Sequence, residues 1–246
     1  MISTMNKPFD FTRWSLRISL FALLTAGFAV LGLRFSIIDF QPALLGLAGT
    51  TLAGLLAIVF GLIGTLRAIK AKETRIASTL TGAILGLLVV MPVLMAIMAG
   101  AGAPRIHDTT TDLVHPPEFV AIKALRAPAH NSLDRLEPEN LSALQKAGYP
   151  DLAPLFIPRP SDQVFEQAVA LVKKRGWEIA AVSAENGRIE ATDTTRIMGF
   201  KDDVVIRIQA AGDKAQVDMR SASRVGKGDL GMNAERIRLF LADLEK

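Results

Sequence analysis

The sequence predicts two parts: a membrane domain of three α-helices, and an α+β domain with the order helix, four-stranded antiparallel meander, helix. Half of the 246 residues are apolar and the mean hydropathy is +0.32, which is high for a soluble chain. Three long uncharged stretches lie within the first 104 residues. After residue 160, short apolar runs with helical or alternating spacing are separated by turn signals.

The membrane domain is expected over residues 14–103, after a cytoplasmic N-terminus at 1–13. A bilayer core needs about 20 apolar residues per helix. The uncharged stretches therefore predict three spanning helices, near 14–34, 42–66 and 76–100. The first stretch has an alternative interpretation as a cleaved signal peptide, because Lys7, Arg13 and Arg17 precede it. The two spans that follow at once favour a spanning helix.

Lys and Arg residues in the short loops predict the orientation of the spans. The N-terminus carries Lys7, Arg13 and Arg17, whereas the first loop carries only Arg34. The second loop carries four basic residues, Arg67, Lys70, Lys72 and Arg75. The positive-inside rule places the N-terminus and the second loop in the cytoplasm. Three crossings then carry everything after Pro104 into the periplasm, so the expected location is a bacterial inner membrane.

Two of the predicted spans carry a small residue at every fourth position. These ridges are Ala53-Ala57-Gly61-Thr65 and Ser78-Gly82-Gly86. They either pack the three helices against one another or contact a second copy or another membrane protein. No acidic, basic or His residue lies deep inside a span, which disfavours a transporter or channel working alone.

Charge and composition exclude several classes of function. The first 103 residues have a net charge of +5 and the remainder −1, so the basic pI of about 9.5 belongs to the membrane part. Nucleic acid is therefore not an expected partner, whereas membrane lipids are. The chain has no Cys, which excludes disulfides, thiol nucleophiles and thiolate metal sites. No cofactor is expected.

The remaining residues are divided at residue 160, because nine of the 12 prolines lie between Pro104 and Pro160 and none follows. Residues 104–160 are expected to form a Pro-rich extended arm with one short helix at 139–146. Residues 161–246 are expected to form a compact core. Its predicted elements are helices at 162–175 and 233–245 and strands at 177–183, 188–194, 203–210 and 214–221. Asn186-Gly187 predicts the turn of the first hairpin.

One face of the predicted sheet is apolar and is expected to pack against the helices. The other face carries a ladder of charged residues, Glu190, Arg207, Asp218 and Arg220. Such a ladder is typical of a solvated face.

Several motifs resemble, in the right order, the domain of unknown function numbered 1499 (DUF1499). They include 104–112, Tyr149-Pro150-Asp151, Ile189-Glu190-Ala191-Thr192, 199–207 and 218–233. The resemblance covers most of residues 104–246. It implies a bacterial envelope location and identifies no catalytic residue.

The segment from Arg220 to Asn233 is the candidate ligand site. A Gly-rich loop leads into the N-terminus of the last helix, where free N–H groups and nearby cations suit a phosphate or carboxylate. The candidate residues are Arg220, Arg224, Lys227, Asp229 and Asn233. In the structural alternative, Asp229 and Asn233 cap the helix, and the two arginines pair with Asp202, Asp203 or Asp218.

Asp202, Asp203 and Arg207 are secondary candidates. Adjacent residues on a strand point to opposite faces, so Asp202 and Asp203 cannot share a substrate there. A turn closed by Asp202, with Asp203 bound to an Arg, is the favoured interpretation. A second cluster, formed by His107, Asp108, Asp112 and His115, matches no zinc motif, and no metal site is expected.

Together these features predict a non-enzymatic inner-membrane protein whose periplasmic domain binds an anionic lipid headgroup, an envelope polymer or a partner protein. One alternative is a membrane-tethered hydrolase or transferase that uses the Arg-rich loop as an anion clamp. Another is an accessory subunit of a larger membrane complex that docks through the small-residue helix faces.

Overall fold

The computed structural model describes residues 9–72 and 76–246, and the chain divides into two compact units after Ala99. The first unit contains three helices, Phe11–Arg34 (α1), Phe40–Lys70 (α2) and Ile76–Ala99 (α3). All three are long and apolar enough to cross a membrane, which confirms the predicted spans. Lys7 and Arg75, on which the orientation partly depends, lie outside the described residues.

Small residues bring the three helices of the first unit close together. A Cβ atom added at Gly86 would lie 2.6 Å from the carbonyl oxygen of Gly54, and one added at Gly82 would overlap Ser15. The Ser15 hydroxyl donates a hydrogen bond to the carbonyl oxygen of Ala57, at 2.7 Å. The predicted small-residue ridges therefore pack, at these positions, inside the three-helix unit. The side chain of Ser78 lies outside the described residues.

The second unit is built on a six-stranded antiparallel sheet. Its strands are Asp108–Thr110 (β1), Leu155–Ile157 (β2), Glu178–Ser183 (β3), Arg188–Thr194 (β4), Lys201–Ala211 (β5) and Lys214–Ser223 (β6). The order is β1-β6-β5-β4-β3, and β2 pairs with the other end of β6. The predicted meander is β3 to β6, but the count of four strands was too low. Two strands of the arm cover the edge that β6 would otherwise expose.

The helices of this unit are Leu141–Gly148 (α4), Ser161–Lys174 (α5) and Met232–Glu245 (α6), with a 3₁₀-helix at Ile122–Leu125. Helices α5 and α6 cover the apolar face of the sheet. Val204, Ile206 and Ile208 alternate along β5 and belong to one buried cluster with both helices. Trp177 stacks on Phe240 in the same cluster, at a ring separation of 5.5 Å. The α+β layout predicted from the alternation is confirmed.

The opposite face of the sheet is buried by the arm, so the prediction of a solvated charged ladder was wrong. Glu190 and Asp218 have no exposed surface. Phe119 and Ile122 of the arm pack against Val205 on this face. The Glu190 carboxylate accepts hydrogen bonds of 3.0–3.2 Å from the backbone N–H groups of residues 120–122. The arm thus supplies the donors that make burial of this carboxylate possible.

The fragment of residues 100–246 is expected to be soluble and to melt cooperatively without the three spans, because both sheet faces are covered within it. Circular dichroism during heating tests this. A fragment of residues 161–246 is the control: it lacks β1, β2 and the donors to Glu190, so it should show no cooperative transition. Absence of a transition in the longer fragment would contradict the expectation.

Candidate functional site

Arg220, the first of the predicted ligand residues, is buried between the sheet and the arm and is 4% exposed. Its Nε and Nη2 atoms donate to the Asp108 carboxylate, with an Nη2 to Oδ2 distance of 2.6 Å. The guanidinium also donates to the carbonyl oxygens of Pro117 and Leu133 and lies over the ring of Phe119. The side chain therefore holds the arm to the sheet.

Asp108 also accepts a hydrogen bond from a second, largely buried arginine, Arg135. One carboxylate with no exposed surface is thus shared by two guanidinium groups. The Gln145 side chain extends this network, because it donates to the carbonyl oxygen of Thr110 and accepts from Arg135. Three parts of the arm, β1, residue 135 and α4, are joined here to β6.

Arg224, the second candidate, forms the pair with Asp203 that was one of the structural alternatives. Its Nη2 atom lies 2.8 Å from Asp203 Oδ1, and Arg126 donates to the other carboxylate oxygen, also at 2.8 Å. Burial works to raise the pKa of Asp203. Hydrogen bonds from Arg224 and Thr192, together with the positive charges of Arg126 and Arg224, outweigh the effect of burial. They hold the pKa of Asp203 below its ordinary value.

Asp202 lies within β5 and not in a turn, which corrects the favoured interpretation of this pair of carboxylates. It accepts from Arg236 of α6 at 2.6 Å, on the helix side of the sheet. Asp203 faces the arm, so the two carboxylates point to opposite faces as strand geometry requires. Arg207, the other secondary candidate, bridges Asp112 at 3.0 Å and Asp218 at 2.9 Å.

Asp229 binds backbone N–H groups at the N-terminus of helix α6, which begins at Met232 after the N-cap residue Gly231. Its two carboxylate oxygens accept from the backbone N–H groups of Gly231, at 3.0 Å, and Asn233, at 2.7 Å. Burial raises the pKa of Asp229, against the lowering effect of these two hydrogen bonds. Asn233 is not the cap that we predicted. It is fully buried, and its side chain joins Ser221, Ser223 and Arg236 to the carbonyl oxygen of residue 107.

Lys227 alone among the predicted cations is exposed, and it lines a cleft of about 520 Å³ in the second unit. The cleft is formed by three parts of the chain: the start of the arm, the segment from residue 131 into helix α4, and the loop after β6. Its lining residues are Arg105, His107, Asn131, Glu137, Pro138, Leu144 and Lys227. A volume of this size lies within the range of small-molecule sites, about 300–1,000 Å³. We call it the Arg105–Lys227 cleft.

Close backbone packing brings the two cations to one cleft. A Cβ atom at Gly228 would lie 3.3 Å from the Cα atom of Arg105, so the loop after β6 approaches the start of the arm closely. The Asn131 side chain donates to the carbonyl oxygens of Ser223 and Gly226, at 3.0 and 2.8 Å. These contacts fix the loop that carries Lys227 against the loop that carries Asn131.

The charged groups of the cleft are unpaired. Within the described part of the chain, neither Arg105 nor Lys227 has a carboxylate within 4.0 Å, and Glu137 has no basic partner within that distance. Burial lowers the pKa of His107, and the neighbouring Asp108 carboxylate does not offset it. The lowered pKa favours the neutral form of His107, and the other ionisable side chains that line the cleft are Arg105, Lys227 and Glu137.

Arg105, His107 and Glu137 were not predicted from the sequence as members of one site. Prolines flank this part of the chain at positions 104 and 138, and glycines precede and follow Lys227. These signals predict turns and close approaches, without showing which loops meet.

Among the residues that the structure describes, no group of three His or acidic side chains is placed to hold a metal ion. The cluster of His107, Asp108, Asp112 and His115 considered from the sequence does not form such a group. Asp108 binds Arg220 and Arg135, while Asp112 binds Arg207 and caps the backbone at Val114 and His115.

Comparison with protein families matches residues 108–244 to the family described as a protein of unknown function (DUF1499). Among solved structures, the crystal structure of TTHA0849 from Thermus thermophilus is similar at 12% identity, over 38% of this chain and 86% of that one. The TM-score of this pair is 0.21. Curated proteins give no match. The family match covers more than half of the 246 residues and contains most of the motifs that suggested it, so the chain belongs to the DUF1499 family.

Proposed function

We propose that the protein is a non-enzymatic inner-membrane protein whose periplasmic second unit binds an anionic lipid headgroup in the Arg105–Lys227 cleft. The observation that carries the proposal is the contrast in pairing. Arginines between sheet and arm have carboxylate partners at 2.6–3.0 Å, whereas Arg105 and Lys227 line an open cleft and have no carboxylate partner among the described residues. Unpaired cations that share a cleft favour an anionic ligand, since charge-assisted hydrogen bonds are stronger than neutral ones.

The chain connection supports a ligand at the lipid surface. Arg105 follows Ala99, the last residue of α3, by six positions. Six residues of fully extended chain reach about 20 Å. Because so short a connection joins Arg105 to a predicted membrane span, a lipid headgroup is the anionic ligand that we favour.

The periplasmic orientation rests on the basic residues of the short loops. Arg67, Lys70 and Lys72 lie at the end of α2 or just after it, while Arg34 alone marks the first loop. Under the positive-inside rule, the end of α2 is cytoplasmic, and the third span then leads out of the cytoplasm.

Cysteine labelling in whole cells tests this orientation, because the chain has no Cys of its own. Single variants Ala71→Cys and Asp213→Cys both place a thiol at an exposed position. With the outer membrane permeabilised, a membrane-impermeant thiol reagent should label only Asp213→Cys. Labelling after lysis controls for reactivity, and both variants should then react. Labelling of Ala71→Cys in unlysed cells would overturn the orientation.

The anion site is tested by titrating glycerol 3-phosphate into the detergent-solubilised full chain in a calorimeter. The double variant Arg105→Gln/Lys227→Gln should bind at least about tenfold more weakly, because it loses two charge-assisted hydrogen bonds. Its residual binding should also depend less on salt than that of the wild type. Lys173→Gln/Lys174→Gln, which removes two exposed charges at the end of α5, is the matched control and should bind normally. Equal affinities for all three proteins would refute the site.

A further inference from the structure

Glu137 places a negative charge in the same cleft as the two cations. An anion site alone gains nothing from a carboxylate on its wall, since that carboxylate repels the ligand. Glu137 also makes no ion pair with Arg105 or Lys227 within 4.0 Å, although all three line one cavity. Neutralisation of Arg105 or Lys227 therefore does not account for the position of Glu137 in the cleft.

Carboxylates that neutralise arginines in this unit do so at short distances. Asp108, Asp202 and Asp203 lie 2.6–2.8 Å from the guanidinium nitrogens that they bind. Glu137, by contrast, is exposed and lines the cleft. The residue that follows it is Pro138, and proline restricts the backbone of the residue before it to extended conformations. The carbonyl oxygen of Pro138 accepts a hydrogen bond from the backbone N–H of Leu141, at 2.8 Å. This bond fixes the segment that carries Glu137 to the start of helix α4.

We propose that the Arg105–Lys227 cleft binds a zwitterion that joins a phosphate group to a primary ammonium group, as in phosphoethanolamine. This inference rests on the proposed function and narrows its ligand: the phosphate remains the anionic group that the cations bind, and the ammonium group makes the headgroup as a whole a zwitterion. Arg105 and Lys227 bind the phosphate, and Glu137 accepts hydrogen bonds from the ammonium group. Leu144 and Pro138 line the cleft with the apolar surface that the short carbon linker contacts.

The lining also distinguishes a primary ammonium from a quaternary one. Quaternary ammonium groups such as that of choline are bound by cages of Trp, Tyr and Phe rings. Among the described residues, those that line the cleft include none of these three. A primary ammonium donates hydrogen bonds, which a carboxylate accepts and a trimethylated nitrogen cannot provide. The cleft is therefore selective for ethanolamine over choline.

Three soluble probes test the proposal on the full chain in non-ionic detergent: glycerophosphoethanolamine, glycerophosphocholine and glycerol 3-phosphate. The wild type should bind the ethanolamine compound about tenfold more tightly than the choline compound. Glu137→Gln should remove this preference and leave the affinity for glycerol 3-phosphate unchanged or higher. Glu139→Gln, which removes a neighbouring exposed carboxylate that does not line the cleft, should retain the preference.

Equal affinity of the wild type for the ethanolamine and choline compounds would overturn the zwitterion proposal, as would an unchanged preference in Glu137→Gln. Either result would leave the anion site standing, provided that Arg105→Gln/Lys227→Gln still weakens glycerol 3-phosphate binding. Loss of that dependence would instead refute the proposed function itself. The two failures are therefore distinguishable.

Nanodiscs identify the source of the zwitterion. The full chain is placed in discs of phosphatidylethanolamine or of phosphatidylcholine, and glycerophosphoethanolamine is titrated into both. If the ligand is a lipid headgroup, bound phosphatidylethanolamine competes and weakens the apparent affinity in the first disc. Equal affinity in both discs assigns the site to a soluble phosphoethanolamine compound. Both results support the proposed chemistry, whereas no binding in either disc would overturn it.

Discussion

Arg220→Ala is expected to destabilise the unit of residues 100–246 by about 3–5 kcal/mol, because it breaks a buried ion pair, leaves the buried Asp108 carboxylate with one guanidinium partner (Arg135) in place of two, and removes the donor of two carbonyl oxygens. Asp108 has no exposed surface, and Arg220 binds both of its carboxylate oxygens. The carbonyl oxygens of Pro117 and Leu133 lose a donor in the same substitution. The total stability of a domain is about 5–15 kcal/mol, so this loss removes a large fraction of it.

Chemical denaturation of the 100–246 fragment, followed by circular dichroism, measures the effect. Arg238→Ala is the control, since it also breaks an arginine–aspartate pair with two hydrogen bonds. The Arg238 and Asp151 side chains are 36% and 53% exposed, so the expected cost is at most about 1 kcal/mol. A similar small cost for Arg220→Ala would contradict the structure and return Arg220 to the candidate ligand residues.

The meander of the core was predictable because its signals are local. Alternation of apolar residues along β5 and β6 predicted both strands, and Asn186-Gly187 predicted the first hairpin. Strands β1 and β2 carry no such signal, since each has only three residues. Their pairing also joins distant parts of the chain: Thr109 pairs with Ser221. Periodicity cannot reveal a partner more than 100 residues away.

The same limit explains the outcome at the candidate site. The sequence of an Arg- and Gly-rich stretch is the same whether its cations are free or are paired with carboxylates from distant parts of the chain. The partner of Arg220 is Asp108, 112 positions earlier in the chain, and Arg126 shares Asp203 with Arg224 from a loop of the arm. Of the cations predicted from the sequence as ligand residues, only Lys227, between two glycines, proved to be exposed in the cleft.

The burial of the charged face has the same origin. From the core alone, Glu190 is one member of a ladder on an open sheet face. Its carboxylate is satisfied by backbone N–H groups at residues 120–122, which belong to a Pro-rich stretch with no periodic pattern. Prolines in this stretch predicted extended chain, but extended chain that covers a sheet and extended chain in solvent have the same sequence signature.

Gly187→Ala is expected to destabilise the second unit by about 2–5 kcal/mol, through a steric clash and backbone strain together. Gly187 has a φ of +57°, in the left-handed region that a Cβ atom disfavours. The added Cβ would also overlap the backbone carbonyl oxygen of Ile208 on β5, far below the 3.0 Å that real Cβ contacts respect. A backbone atom cannot rotate away as a flexible side chain can.

The Gly187 contact is tight because the turn between β3 and β4 is bonded to β5. The backbone N–H of Ile208 donates to the carbonyl oxygen of Gly187, at 2.7 Å, so relieving the clash would stretch or break this hydrogen bond. Gly212→Ala is the matched control: Gly212 has a φ of +65° in the turn between β5 and β6, but nothing lies within 4 Å of its added Cβ. Gly212→Ala should lower the stability only by the strain of the left-handed conformation, which costs about 1–2 kcal/mol. Denaturation midpoints of the two 100–246 variants should therefore differ clearly, with Gly187→Ala the less stable, and equal midpoints would show that the turn is not held against β5.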